Sequence, residues 1–301
     1  MRICQINGGV FGSTGRIIFN VSEKARQNKM EAICLSPVTS TNRFKEPEHK
    51  YIKIGNYKAR QLSVLLARIT GFNGCFSHFA TVMALKKIKE FNPDIIHLHN
   101  MHDSFINLPM LFRFIKKHNI KTVWTLHDCW AFTGHCTHFV MYNCDKWQSE
   151  CKNCSHKNVY PTSIFDNSKK MHRLKKKWVK GIKSLTIVTP SKWLAQMAKQ
   201  SFLKEYPIQV INNGIDLNIF KPTPSDFRKN YDLENKKIVL GVAFGWREKK
   251  GLDVFKRLAK TLSDDVKIVL VGTDDAVDRE LPENILSIHR TQNPTELAKI
   301  Y

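Results

Sequence analysis

The sequence predicts an α/β protein made of two successive parallel-sheet domains, the second of them incomplete. Three observations lead there. Short apolar runs alternate with helical segments along the chain, as when parallel strands are joined by crossover helices. The first apolar run opens into a glycine-rich turn, INGGVFGSTGR, before the first helical segment. A polar stretch containing Gly and Pro, NNGIDLNIFKP, separates two series of such units and reads as a linker.

In the first series, residues 2–7 predict a strand and 14–28 a helix, followed by a strand over 31–35. A helix over 80–91 sets Val82, Leu85 and Ile88, with Lys89 beside them, one turn apart. The run DIIHLH (94–99) is a strand, 108–117 a helix and 121–126 another strand. After a Cys-rich insertion at about 129–160 come a basic helix over 169–183, a strand over 185–189 and a helix over 192–201. The second series begins with a short strand at 209–211. Strands follow at 237–242, 266–272 and 285–289, with a helix over 252–262. A last helix opens at Pro294, and the sequence stops at Tyr301. The predicted domains are 1–205 and 206–301, and the second is expected to show an open apolar edge.

Composition narrows the class. With 301 residues, 42% hydrophobic and 25% charged, the chain has the make-up of a soluble globular protein with one large or two ordinary cores. No apolar run approaches a membrane-spanning length, and the N-terminus is too short in apolar residues for a signal peptide. The expected location is cytoplasmic. Residues 1–205 hold 33 Lys/Arg against 12 Asp/Glu, whereas 206–301 hold 15 against 14. A basic half beside a neutral half implies two modules with different partners, the basic one facing phospholipid, phosphorylated substrate or RNA.

Four groups of residues carry candidate chemistry. In the first turn, Gly9, Gly12 and Gly15 allow close backbone approach, and the helix start presents free N–H groups to an anion. Ser13 or Thr14 is expected to cap that helix. The spacing is not that of a dinucleotide fingerprint, and a plain tight turn also explains it. Second, His97 and His99 lie on DIIHLHN, His102 and Asp103 just beyond it, and His127 and Asp128 end TVWTLHD. Parallel strands finish at one edge, where ligands bind, so His99, His102, His127 and Asp128 are expected to converge. They can coordinate a metal or handle substrate hydroxyls and protons; His97 reads as a core histidine with a satisfied hydrogen bond.

Third, Cys136, Cys144, Cys151 and Cys154 crowd one segment, with a single C-x-x-C. Four thiolates can hold a structural zinc that staples a long loop; packing as small apolar thiols is the other reading. Cys129 has no evident base, and Trp130 and Phe132 read as packing residues. Fourth, the basic helix aligns Lys169, Arg173, Lys176, Lys180 and Lys183 beside an apolar stripe of Met171, Leu174, Trp178 and Ile182. The stripe is expected in the core, with the lysines left to attract an anionic membrane surface. Aromatic interleaving of the kind that binds nucleic acid is missing.

Taken in order, INGGVFGSTGR, PDIIHLHN, TVWTLHDCWAFTGHC, VTPSKWLAQ, VINNGIDLNIFKP and GVAFGWREKKGLDVF resemble bacterial glycosyltransferase family 4 over essentially the whole chain. The version with Trp-Thr-Leu-His-Asp and trailing cysteines is similar to the branch that builds exopolysaccharide, capsule or O-antigen. The resemblance implies two facing Rossmann-like domains (GT-B type) and a retaining transfer from a nucleotide-sugar donor to a glycan or lipid-linked acceptor, with no catalytic metal. It implies donor contacts from Gly9, Gly12, Gly15, Arg247 and Lys250, acceptor-side roles for Ser13, Thr14, His99 and His102, and catalytic roles for His127 and Asp128. The family usually carries a Gly-Arg pair ahead of that lysine; here Gly245-Trp246 stands there, with Arg247 as the substitute. Its paired-glutamate signature belongs beyond Tyr301, so a truncated chain with poor donor affinity is expected. A metal-dependent hydrolase using the histidines and an inactive remnant acting as a binding module are the alternatives.

Overall fold

Seven strands, all parallel, form the sheet of the first unit, Met1–Asn213, in a computed structural model that describes residues 1–291 and 293–301. In chain order the elements are β1 (Arg2–Ile6), α1 (Gly12–Gln27), β2 (Glu31–Pro37), β3 (Ile52–Ile54), α2 (Tyr57–Thr70), α3 (His78–Phe91) and β4 (Ile95–Leu98). Then follow α4 (Leu108–His118), β5 (Lys121–Thr125), α5 (Ser168–Val179), β6 (Leu185–Thr189), α6 (Lys192–Lys199) and β7 (Ile208–Val210). The strand order is β3-β2-β1-β4-β5-β6-β7. The order reverses between β1 and β4, and such a switch point opens a crevice at the carboxyl ends of the strands. Asn7 and Gly8 leave β1 there; His99 and Asn100 leave β4.

The central strands are continuous apolar runs because helices cover both sheet faces. Cys4, Ile6, Ile96, Leu98 and Ile187 are buried with Leu111, Phe112 and Ile115 of α4. On α3 the buried residues are Thr81, Ala84 and Ile88, and Val82, expected on the core face, is exposed. Met171 and Trp178 of α5 enter the core as the stripe predicts. They are joined by Lys175, 2% exposed, which no reading of the basic stripe anticipates.

Two elements escape the sequence pattern. β3 is three residues long, too short for alternation to register. α2 is amphipathic but poorly buried, with only Ser63 and Ala67 enclosed. Its end signals are sound: the Asn56 side chain accepts from Ala59 N at 2.8 Å, and Gly71 takes the left-handed conformation (φ 76°) that closes a helix. The domain boundary also moves. β7 pairs with β6 and Ile211 N donates to Thr189 O, so the first unit runs to Asn213 and the predicted break at 205/206 falls one strand early.

The second unit, Gly214–Tyr301, has the three-stranded parallel sheet β10-β9-β8: β8 (Lys237–Val242), β9 (Val266–Thr273) and β10 (Ile285–His289). Its helices are α7 (Phe227–Asn230), α8 (Leu252–Leu258), α9 (Asp275–Asp278) and α10 (Pro294–Ile300). Helix α8 is shorter than the predicted 252–262.

Glycine is required inside the first turn. A Cβ on Gly15 would lie 2.4 Å from the backbone C and O of Val10, so the turn folds back onto its own helix. Gly15→Ala is expected to destabilise the chain by about 2 kcal/mol, read as a lower urea midpoint at unchanged slope.

Candidate active site

The site is assembled from loops that leave β1, β4 and β5. Asn7 joins the first two: its Oδ1 accepts from Asn100 N (3.1 Å) and its Nδ2 donates to Gly9 O (2.6 Å). Gly8 is enclosed because a side chain there would strike Asp103 Oδ2 at 2.7 Å. A Cβ on Gly9 or Gly12 would meet no atom within 4 Å among the described residues, so these two glycines leave open space above the turn. Gly15 packs inside instead. Phe11, not Ser13 or Thr14, occupies the N-cap of α1; Ser13 is exposed in the first turn, and Thr14 Oγ1 accepts from Asn7 Nδ2 at 3.3 Å.

A chain of hydrogen bonds orients His127. Gln5, fully buried on β1, donates its Nε2 to Ile18 O and Ser22 Oγ, both at 2.6 Å. Its Oε1 therefore faces His99 Nε2 at 3.0 Å. An amide oxygen only accepts, so His99 carries its proton on Nε2. Burial, reinforced by His97 and His127, holds His99 neutral. Its bare Nδ1 then accepts from His127 Nε2 at 3.2 Å. His127 is left presenting Nδ1, a lone pair, away from His99. Burial lowers the His127 pKa, Asp128 opposes that shift and His102 adds to it.

His97 behaves as a core histidine. Its Nε2 meets Thr125 Oγ1 at 2.8 Å, and burial followed by repulsion from His127 lowers its pKa to about 4. With both nitrogens of His99 engaged by Gln5 and His127, this trio is a relay of hydrogen bonds rather than a set of metal ligands. Among the described residues, Asp275, Asp278 and His289 are the group whose ligand atoms gather within 4.8 Å; it lies in the second unit, with two of its members exposed.

Beside the relay lies an ionic cluster. His102 Nε2 is 2.9 Å from Asp128 Oδ2, and its Nδ1 lies 3.5 Å from Asp103 Oδ1 and 3.1 Å from the Tyr160 hydroxyl. Tyr160 donates to Asp103 at 2.6 Å. Burial alone would depress the His102 pKa, but the two carboxylates outweigh it and raise the value to about 10. The imidazolium in turn holds Asp103 and Asp128 below the usual carboxylate value of 3.8, against burial. Asp128, expected as a catalytic partner, has Oδ2 turned to His102, while Oδ1 accepts from Trp130 N (2.9 Å).

Next to this cluster, α2 and the Cys-rich segment enclose a hollow of about 220 Å³ lined by Arg60, Arg68, Asn73, Asp103, Tyr160 and Ser163 among others. Three of its polar atoms, Arg60 Nε, Asn73 Oδ1 and Ser163 Oγ, are buried with no hydrogen-bond partner among the described residues. Ser163 is only 4% exposed. Stranded polar atoms of this kind cost free energy unless a ligand or water satisfies them. The sequence pointed to Asp103 but not to Arg60, Asn73 or Ser163, because α2 itself was not legible.

The cysteines take no part in the Gln5–His99–His127 relay; four of them share their own hollow with His135 and His156. Burial raises the pKa of Cys129, which rules it out as a ready nucleophile. Cys136, Cys144, Cys151 and Cys154 line one hollow of about 30 Å³. In the second unit, Trp246 is core: Nε1 donates to Val271 O (3.0 Å) and the ring meets Phe255 edge-on. Arg247 and Lys250 are exposed, Lys250 ending a 3-10 turn that Gly251 (φ 77°) leads into α8.

The parallel sheets of the two units and the solved structures that superpose on the chain give the class as a GT-B glycosyltransferase fold. The family profile described as Glycosyltransferase Family 4 matches residues 14–219, more than half of the chain, and the chain belongs to that family. It is 31% identical over 132 residues to the putative colanic acid biosynthesis glycosyl transferase WcaC of Escherichia coli (strain K12), covering 42% of this chain and 32% of the relative. It is 33% identical over 80 residues to the processive diacylglycerol alpha-glucosyltransferase of Acholeplasma laidlawii, covering 25% and 24%. The matched stretches thus span about a third and a quarter of those relatives. Among solved structures, Anabaena HepE in complex with UDP and glucose superposes with a TM-score of 0.59 at 14% identity, over 99% of this chain and 72% of that one. Among the described residues no helix is long and apolar enough to cross a membrane.

Two outcomes follow. Replacing His102 by Ala leaves two carboxylates around an uncompensated space and is expected to cost about 3 kcal/mol, at the low end for buried pairs because Asp103 keeps some solvent contact. The His102 contribution is complete below its unfolded value of 6.5 and is lost as pH rises toward about 10. The carboxylate contribution is present above 3.8 and is lost as pH falls through their lowered values, so the deficit of the variant shrinks in acid. Urea titrations at several pH values measure both limbs. Separately, nitrogen-15 spectra of the imidazoles should show His127 as the Nε2–H tautomer, titrating below 6.5.

Proposed function

We propose that this chain is a retaining glycosyltransferase that moves a sugar from a nucleotide-sugar donor to a glycan or lipid-linked acceptor in surface polysaccharide assembly. The single observation that carries the reading is the Gln5–His99–His127 relay at the switch point of the sheet. It presents a neutral acceptor nitrogen where a sugar hydroxyl can donate to it. Family membership supports the reaction class. The UDP and glucose bound by HepE support a UDP-sugar donor, and the names of the two relatives, one of colanic acid biosynthesis and one acting on diacylglycerol, support a polysaccharide or lipid setting.

In this reading, Gly9 and Gly12 leave room for a substrate on the first unit, and Arg247 and Lys250 are the cations that the second unit offers to the donor diphosphate. Breaking the glycosidic bond places negative charge on the departing phosphate, which a preset cation stabilises in the transition state. No catalytic metal is required. The hollow with unpartnered Arg60, Asn73 and Ser163 receives the acceptor, and its edge is held by Asp103 and Tyr160, which also hold His102. The proposed setting is the inner face of the cytoplasmic membrane, with the basic first unit drawn to anionic lipid.

Incubation with UDP-glucose and other UDP-sugars plus a bacterial lipid extract tests this. UDP release with label entering the lipid or glycan fraction is the expected result. His127→Ala should lower kcat/KM by roughly tenfold to a hundredfold, one buried hydrogen bond. Lys250→Ala should act mainly on kcat, by about a hundredfold. A folded chain that releases no nucleotide from any UDP-sugar overturns the proposal. Sedimentation with phosphatidylglycerol vesicles, weakening as salt rises, tests the membrane setting.

A further inference from the structure

We infer that Cys136, Cys144, Cys151 and Cys154 form a structural site for one divalent cation of the zinc type, and that this ion braces the segment between β5 and α5. Four side chains from a stretch of 19 residues surround a single hollow of about 30 Å³, the space of one small occupant. The segment has little else to hold it. Its regular structure is three short 3-10 turns, Trp130–Phe132, Val140–Tyr142 and Lys146–Gln148. Yet it carries Tyr160 to His102 and Asp103, and Asp128 to His102.

Main-chain donors already address two of the sulfurs. Gly134 N donates to Cys151 Sγ at 3.1 Å, and the His156 N–H, two residues beyond Cys154, points to the sulfur of Cys154. Metal-bound thiolates draw such donors because charge gathers on sulfur. The approach at Gly134 is close: a Cβ there would lie 2.7 Å from that of Cys151 and 2.3 Å from Ser168 O.

The buried Lys175 completes the arrangement. Its Nζ donates to Trp130 O (2.7 Å) and Thr133 O (3.0 Å) and interacts electrostatically with Cys136 and Cys151. Four thiolates on a divalent cation carry a net charge of about −2, which a protonated Lys175, held by Trp130 O and Thr133 O, would offset. Lys146 and Lys152 line the same hollow.

All eight cysteines are free thiols, and no three of these four sulfurs lie within 4.8 Å of one another. A tetrahedral zinc with bonds near 2.3 Å sets sulfurs about 3.8 Å apart, so binding draws them inward by side-chain rotation. The balance is simple: four S–H bonds break, four S–metal bonds form, four protons pass to solvent, and the metal is not oxidised or reduced.

Zinc determination on the full chain purified from zinc-supplemented medium tests the site. One equivalent per chain is expected, falling about tenfold or more in Cys151→Ser/Cys154→Ser and unchanged in His99→Ala or His127→Ala. Because the double variant can fail to fold, cobalt substitution of the unaltered chain gives a second reading. A near-ultraviolet thiolate-to-cobalt band with tetrahedral visible bands supports the site. Two results overturn it: eight titratable thiols with no bound zinc, which makes the cluster packing only, or thiols lost in pairs, which makes it disulfides.

Discussion

The loops of the first unit depend on one buried cation, the imidazolium of His102. Three separate stretches of chain meet at it: Asp103 beyond β4, Asp128 beyond β5, and Tyr160 in the Cys-rich segment. Each partner alone is poorly placed. Two carboxylates so near one another repel, and a charged histidine inside the protein is costly. Together they offset these costs, and the loops can close only in the register that brings them together. Coulomb attraction thus does for these loops what apolar packing does for the sheet beneath.

The histidine relay uses the opposite device. His97 and His99 are kept neutral by enclosure, with rings 4.1 Å apart, a separation two imidazolium ions could not sustain. Direction then comes from donor and acceptor chemistry, starting at an Ile18 carbonyl in α1 and ending at His127. A charged cluster and a neutral relay lie side by side, His102 belonging to one and His127 to the other. The cluster acts on His127 in both senses, Asp128 favouring its charged form and His102 opposing it, and burial decides for the neutral one.

The parallel sheets were legible in the alternation of apolar runs, and the edge where His99, His102, His127 and Asp128 gather follows from strand direction alone. The partners of those residues were not legible. Gln5 sits inside an apolar strand as an ordinary-looking polar residue, and its role appears only when β1 and β4 are neighbours. Lys175 lay hidden in a run of basic residues, since periodicity does not tell a buried lysine from its solvated neighbours. β3 and α2 gave too little pattern, and with α2 went the hollow lined by Arg60, Asn73 and Ser163. Ser13 and Thr14 were plausible caps by residue type, but the turn folds tightly over Gly15 and begins the helix at Gly12.

The lone pair on His127 carries a consequence for selectivity. A nitrogen that can only accept recognises the hydrogen of an alcohol, and a sugar lacking that alcohol leaves the nitrogen stranded without water or partner. A pocket built this way rejects deoxygenated analogues more severely than a greasy pocket rejects an added hydroxyl. Under the proposed function, donor choice would be partly written into the first unit, through an amide on β1 that itself meets only His99, Ile18 and Ser22.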